Sequence, residues 1–360
     1  MLFERFNYPD WEDLPYFDLQ QDQKVAIVLH GDKKCGYHIT KHLFKHGIKV
    51  YVACRSKSNF NAIKEKIIYA SVEEETKAYD SSKTSHSPIV DEISKKFGQI
   101  KYLYMDVTDL ESVYNSCLYF REKEDHLDLF IDSGGGYIAS SHFNTNDDYE
   151  IQLQTNYIAQ VLIIFQVIDL LDKCSGSVIS VSSFLHFLTT KTPLKEDEWS
   201  DTLAEYNRWP NFVYCWFRYA LAKTFMIQFL TILSIKRPNV NYFNINVGIL
   251  MDPSIYTHLT RLPIIGLWFW SFFQMVNLLL GVDEVKSSKS VLQVALNSLN
   301  KKRGNNINNS STELAKYYNR GGRLSKSSRV SRDLDYSTAT WINTVPVSYT
   351  HLRAHETTLH

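Results

Sequence analysis

The chain has 360 residues, 44% of them apolar and 22% charged, a balance that excludes global disorder. Its 39 Lys and Arg match 39 Asp and Glu, so no net field draws the molecule to nucleic acid or to an anionic membrane. Five dispersed cysteines (Cys35, Cys54, Cys117, Cys174, Cys215) without a C-x-x-C pair argue against a disulfide framework or a zinc cluster, and for a reducing compartment.

Residues 1–23 read as an N-terminal extension, acidic and aromatic, with no apolar run after a basic start and hence no signal peptide. KVAIVLH (24–30) is an apolar, β-branched run of the kind a strand buried on both faces needs. A helix is predicted from Gly36 to His46. It carries His38, His42 and His46 at i+4 spacing, but no carboxylate or cysteine lies nearby, so they read as an exposed face and not as metal ligands. The predicted order continues with strand KVYVACR (49–55), helix FNAIKEKII, strand KYLYMDV (101–107), helix 110–124 and strand LDLFIDSG (127–134). A long helix over 147–171, strand SGSVISVSS (175–183), a helix over 212–235 and strand VNYFNINVG (240–248) follow. Strands alternating with helices at these spacings predict an α/β fold: a doubly wound, mostly parallel sheet flanked by helices.

Other stretches break the rhythm. Residues 71–98 are polar and read as an inserted surface loop, 303–312 as a Gly/Asn/Ser linker, and the basic run 320–332 as a surface loop. Residues 262–282 (LPIIGLWFWSFFQMVNLLLGV) carry no charged side chain and leave three readings open: a buried lid helix, a membrane-surface anchor or a spanning helix. Residues 347–360 have neither helical nor strand periodicity, so 346–360 is set aside as a non-native or disordered tail, its histidines included.

The chemistry concentrates late in the sheet. Tyr219 and Lys223 (Y-A-L-A-K) lie four apart, on one helix face. A cation beside a phenol favours phenolate, which brings the tyrosine toward acid–base work on an alcohol or carbonyl oxygen. Ser183 ends a strand at the carboxyl edge, where doubly wound folds keep their sites, and its hydroxyl is suited to bind the same oxygen. Asn156 sits inside a helix, where asparagine is mildly unfavourable and so wants a role. His186, just past Ser183, is expected to pack.

Taken together, from about Lys24 to Val345, the sequence resembles the short-chain dehydrogenase/reductase family. Ser183, Tyr219 and Lys223 match its serine and Y-x-x-x-K, Asn156 its helix asparagine, and Asp106 the aspartate at the adenine end of the cofactor. GYHITKHLFKHGIKVYVACR, EIQLQTNYI, WFRYALAK and TRLPIIGLWFW resemble more narrowly a retinol-dehydrogenase-like fungal branch associated with lipid droplets.

The resemblance implies a Rossmann-type domain over 24–345, with 262–282 over the substrate site. It implies catalysis by Asn156, Ser183, Tyr219 and Lys223, and cofactor contacts from Gly31, Lys34, Gly36, Arg55, Asp106, Gly134, Tyr219, Lys223 and Gly248. Three cofactor motifs depart from the family pattern. His30 and Lys34 stand where glycines are usual, the turn after the fourth strand is Ser133-Gly134-Gly135-Gly136, and Val247-Gly248 replaces P-G. Arg55 ends the second strand where an NAD ribose needs a carboxylate, so NADP is favoured over NAD. The implied activity is NADP-dependent alcohol/carbonyl oxidoreduction on a lipophilic small molecule. Its expected place is the cytosolic face of a lipid droplet or the endoplasmic reticulum membrane, with no nucleic acid partner and homodimerisation left open. The alternative is a catalytically weakened lipid-surface protein that keeps the fold.

Overall fold

A computed structural model describes residues 8–80, 96–134, 138–194, 208, 210–249, 259–263, 265–300 and 314–356. Gly135 and Gly136, residues 81–95 of the polar insertion and the linker 303–312 lie outside the described residues.

β1 (Val25–Leu29) is apolar at every position, and all five residues are buried because both of its faces are covered. Val25, Ile27 and Leu29 enter one core while Ala26 and Val28 enter the other, as the two-residue period of a strand requires. β2 (Lys49–Cys54) and β3 (Gln99–Tyr104) extend the sheet on one side of β1. β4 (Leu129–Asp132), β5 (Ser177–Ser182) and β6 (Asn241–Asn246) extend it on the other. All these pairs are parallel, and the order 3-2-1-4-5-6 reverses direction between β1 and β4. That reversal opens a crevice at the carboxyl ends of the strands, where such sheets bind ligands. Leu29 pairs with Asp132 at its floor.

α1 (Lys34–Lys45), α2 (Lys57–Asp80) and, late in the chain, α7 (Glu284–Asn300) cover one face. α3 (Leu110–Lys123), α4 (Ile151–Lys173) and α5 (Asn211–Lys236) cover the other. α6 (Gly266–Leu280) stands apart from both layers. β7 (Lys316–Asn319) pairs parallel to β6, and β8 (Arg323–Ser325) returns antiparallel as the edge strand. α8 (Arg329–Arg332) and α9 (Leu334–Glu356) close the chain against α5, with the Trp341 ring stacked on Phe229.

Four expectations need correction. The polar insertion does not begin as a loop: α2 runs on through residues 71–80, with Ser71 buried and Glu74 bridging Lys41 and Lys45 of α1. The basic run 320–332 is a hairpin strand and a short helix, with Ser328 and Ser331 buried, because β8 returns antiparallel to cover the open side of β7. The histidine face of α1 is covered. The extension folds over it, Trp11 stacking on His42 and the Pro15 carbonyl meeting His46 Nδ1 at 2.9 Å, while Leu14 and Phe17 anchor in the core. Burial holds His42 at about 2, well below the usual imidazole range, with Lys41 and Lys45 adding to the shift. Finally, α9 carries helical backbone past Pro346 to Glu356, propagated from a stretch already pinned by the Tyr157–Thr344 hydroxyl pair at 2.6 Å.

Candidate active site

The turn after β1 keeps the backbone that glycine would give it without the glycines. His30 has φ 55° and Lys34 φ 47°, both in the left-handed region that a Cβ makes costly. Gly36 could not be replaced: a Cβ there would stand 2.2 Å from the His30 carbonyl and 2.7 Å from Ser133 Oγ. Gly31 is buried under Thr40, whose hydroxyl donates to the Gly31 carbonyl at 3.1 Å. The start of α1 is thus held close against the crevice, with Lys33 and Lys34 exposed at its mouth.

Around the crevice, each strand end delivers one predicted residue. Arg55 follows β2 with its side chain 73% exposed and Nη1 3.5 Å from Asp106 Oδ2 beyond β3, so two expected cofactor residues meet each other. Asp106 Oδ1 accepts from the Thr108 N–H and hydroxyl, which fixes its turn. Gly134, after β4, has φ 70°, and a Cβ there would strike Val181 at 2.4 Å. Gly248, after β6, donates its N–H to Asn246 Oδ1 at 3.2 Å.

The four residues expected to be catalytic sit where β4, β5, α4 and α5 meet. Ser183 is half-buried at the end of β5, its Oγ accepting from the Leu185 N–H at 3.2 Å, so its own hydrogen is free to donate. The Ser183 side chain lies close enough to the Tyr219 hydroxyl of α5 to favour its phenolate, which puts both on one face of the sheet. Lys223 is buried, with Nζ 5.9 Å from the Tyr219 ring centroid, and donates to the Val181 carbonyl at 3.0 Å. Asn156 lies in a π-helical turn (Gln154–Ile158) of α4 that packs against α5, its amide donating to the Gln152 carbonyl at 2.9 Å. A π turn inside an α-helix is rare and is frequently found at functional sites.

One group escaped the sequence reading. Asp132, the last residue of β4, is buried with Oδ2 3.5 Å from Lys223 Nζ, while Oδ1 accepts the Gly134 N–H at 3.1 Å. The available signal was a carboxylate closing an otherwise apolar strand, which is too costly to bury without a partner. The electrostatics differ from expectation accordingly. Burial raises the Tyr219 phenol above its ordinary value, Lys223 pulls it down, and Asp132 pushes it up again; the net direction is upward. Lys223 ends above its usual value although burial works against its charge, because Asp132 and Tyr219 favour the ammonium.

His186 packs, as expected, and does so through two specific bonds. Its Nδ1 lies 2.6 Å from the Ser183 carbonyl, and Nε2 accepts the Ser328 N–H at 3.0 Å, so Nδ1 carries the proton. Burial pushes its imidazole down to about 4. Beside it, Phe184, Phe187 and Leu188 are exposed immediately after Ser183.

α6 presents Trp268 at 78% and Leu278 at 86% exposure, and Gly266 is its sole buried residue. Its C-terminal end returns to the sheet's carboxyl edge, where Val282 N–H bonds the Ile249 carbonyl at 2.9 Å. The helix among the described residues that is long and apolar enough to cross a membrane is instead α4, which is buried in the core.

No family model matches the chain. An uncharacterized oxidoreductase of Schizosaccharomyces pombe is 30% identical over 159 residues, covering 43% of this chain and 38% of that protein. A short-chain dehydrogenase/reductase of Aspergillus calidoustus is 28% identical over 148 residues, covering 41% and 39%. Human polyprenol dehydrogenase is 27% identical over 180 residues, covering 48% and 46%. The chain thus spans between about two fifths and one half of the length of these relatives. Among solved structures, L-sorbose reductase from Gluconobacter frateurii, in complex with NADPH and L-sorbose, superposes with a TM-score of 0.55 at 12% identity, covering 88% of this chain and 99% of that one. That likeness establishes the fold. In its sheet order, and in sequence over less than half its length, the chain is similar to the short-chain dehydrogenases/reductases.

Proposed function

We propose that the protein is an NADP-dependent oxidoreductase that interconverts an alcohol and a carbonyl on a lipophilic substrate at a lipid surface. The observation that carries the reading is the convergence of Tyr219 and Ser183 on one face, with buried Lys223 5.9 Å from the Tyr219 ring, at the carboxyl edge of a doubly wound sheet. In carbonyl reduction, Tyr219 donates its phenolic proton to the substrate oxygen and Ser183 donates a hydrogen bond to the same atom. Lys223 holds the positive charge that steadies the phenolate left behind. A bound nicotinamide supplies the hydride.

The residues present fit such a cofactor. The left-handed backbone at His30 and Lys34 and the close approach at Gly36 preserve a phosphate-binding turn, and Arg55, Lys33 and Lys34 offer positive charge. Arg55 supports NADP over NAD, because a guanidinium pairs with a 2′-phosphate and cannot accept from a ribose diol. NADPH in the similar reductase fold supports the same choice. Exposed Phe184, Phe187 and Leu188 beside Ser183 support an apolar substrate, as does the polyprenol dehydrogenase relative.

Lipid association rests on α6. Its 15 residues reach about 22 Å, short of the roughly 30 Å hydrocarbon core, so the helix lies on a surface and does not span it. Trp268 and Trp270 suit the water–lipid boundary. This supports surface association over a spanning helix, and the proposed place is the cytosolic face of a lipid droplet or of the endoplasmic reticulum.

The second reading, a lipid-surface protein without catalysis, draws on the side chains at His30 and Lys34, which crowd the nucleotide turn. Titration with NADPH, followed by nicotinamide fluorescence, separates the two. Saturable binding, with Tyr219→Phe cutting turnover of an apolar ketone by about 10²–10⁴-fold while binding persists, supports the enzyme. Absence of NADPH binding by the intact protein sinks it.

A further inference from the structure

We propose that Asp132 is a positioning residue of this site, whose buried carboxylate holds Lys223 and competes with the Tyr219 oxygen for the lysine's charge. The proposal rests on the oxidoreductase reading above and adds a direction to it: the site is set to reduce carbonyls at neutral pH.

Both carboxylate oxygens are committed, Oδ1 to the Gly134 N–H and Oδ2 to Lys223, so Asp132 is fixed from two sides at the end of β4. Lys223 has three N–H groups; one goes to the Val181 carbonyl and one to Asp132, which leaves a single donor for the tyrosine side of the site. At 1% exposure for both Asp132 and Lys223, solvent screens little of this competition. Among the described residues, the charged and titratable groups facing the pair are few. α5 contributes Tyr219 and Lys223, and β4 contributes Asp132. The end of β1 contributes His30, whose imidazole burial pushes below its usual range; Asp32 and Lys33 act on that ring in turn. His30 is therefore neutral near pH 7, leaving Asp132 as the acidic group opposing the phenolate. A phenol kept protonated is the acid that carbonyl reduction needs and is not the base that alcohol oxidation needs.

The sign follows. Removing the carboxylate frees Lys223 for Tyr219, so the phenol ionises at lower pH. In Asp132→Asn the midpoint for Tyr219 ionisation should fall by about one pH unit. It is read as the phenolate ultraviolet difference between each protein and its Tyr219→Phe counterpart, without cofactor. The alkaline limb of alcohol oxidation should fall with it, and Asp132→Glu should restore the higher midpoint. An unchanged or raised midpoint in a folded Asp132→Asn protein overturns the proposal. Should Asp132→Asn fail to fold, Asp132→Ser is read in the same way: a midpoint below the unmodified protein's supports the proposal, and an equal or higher one overturns it. The phenolate signal needs no turnover, so a shifted Tyr219 in a protein that binds no NADPH would leave Asp132's effect standing while the enzyme reading fails.

Discussion

Replacing Lys34 by glycine should stabilise the protein, and the size of the gain follows from one angle. Lys34 opens α1 with φ 47°, a conformation that costs an L-residue about 1–2 kcal/mol. Glycine pays none of that but loses about 0.4–1 kcal/mol through the greater freedom of its unfolded chain. Removing the side chain also removes a positive charge from a helix N-terminus, where the dipole disfavours it, and a partly compensating attraction to Glu284. Lys34→Ala makes the same charge change while keeping the Cβ, so the difference between the two variants isolates the backbone. Glycine should exceed alanine by about 0.5–1 kcal/mol, or roughly 1 °C in melting temperature. Urea unfolding followed by far-ultraviolet circular dichroism, with a common m-value, measures it. If alanine proves as stable as glycine, the turn relaxes to ordinary dihedrals and holds no strained backbone for a phosphate.

Arg55→Ala should weaken NADP binding about tenfold or more and leave NAD nearly unchanged, as a lost charge-assisted contact implies; equal losses for both would make Arg55 a structural partner of Asp106. Trp268→Glu with Leu278→Glu should release the protein from lipid droplets or liposomes without lowering its melting temperature, since both side chains face solvent; flotation unchanged from the parent would reduce α6 to a lid. His186 is buried neutral with its pKa at about 4 against about 6.5 unfolded, so its contribution is complete above pH 6.5 and is lost as pH falls toward 4. His186→Gln should remove up to about 1 kcal/mol per pH unit from that slope; a slope identical to the parent's means that the ring is not protonated only on unfolding.

The parallel sheet was readable because buried strands need continuous apolar runs, and VAIVL and SVISVS leave no other use for their side chains. Ser183, Tyr219 and Lys223 were readable because strand-end placement and four-residue helical spacing are local facts. Asp132 was not. Its partner is 91 positions away in sequence, and only the β4–β5–α5 packing brings the two together. The sign of the Tyr219 shift failed for the same reason, since the lysine was visible and the burial and opposing carboxylate were not. β7, reading KYYN, gives four residues and one buried side chain, too little pattern to separate from a loop until β6 offers an edge. Helical spacing says which residues share a face, but not what covers it, so the histidines of α1 read as exposed in sequence; Trp11 and Pro15 cover them.

The pairing of β1 with β4 also shapes how the chain emerges during synthesis. β1 finds β2 soon after it is made, but its other edge waits for Leu129, more than a hundred positions after Ala26. At about 5–20 residues per second, an apolar strand stands open on one side for roughly 5–20 s. Nothing made in that interval pairs with the edge, because β3 adds beyond β2. The nascent chain therefore presents VAIVL as a template for any extended neighbour, and this stretch is where a chaperone holding the ribosome-bound half would be expected to sit.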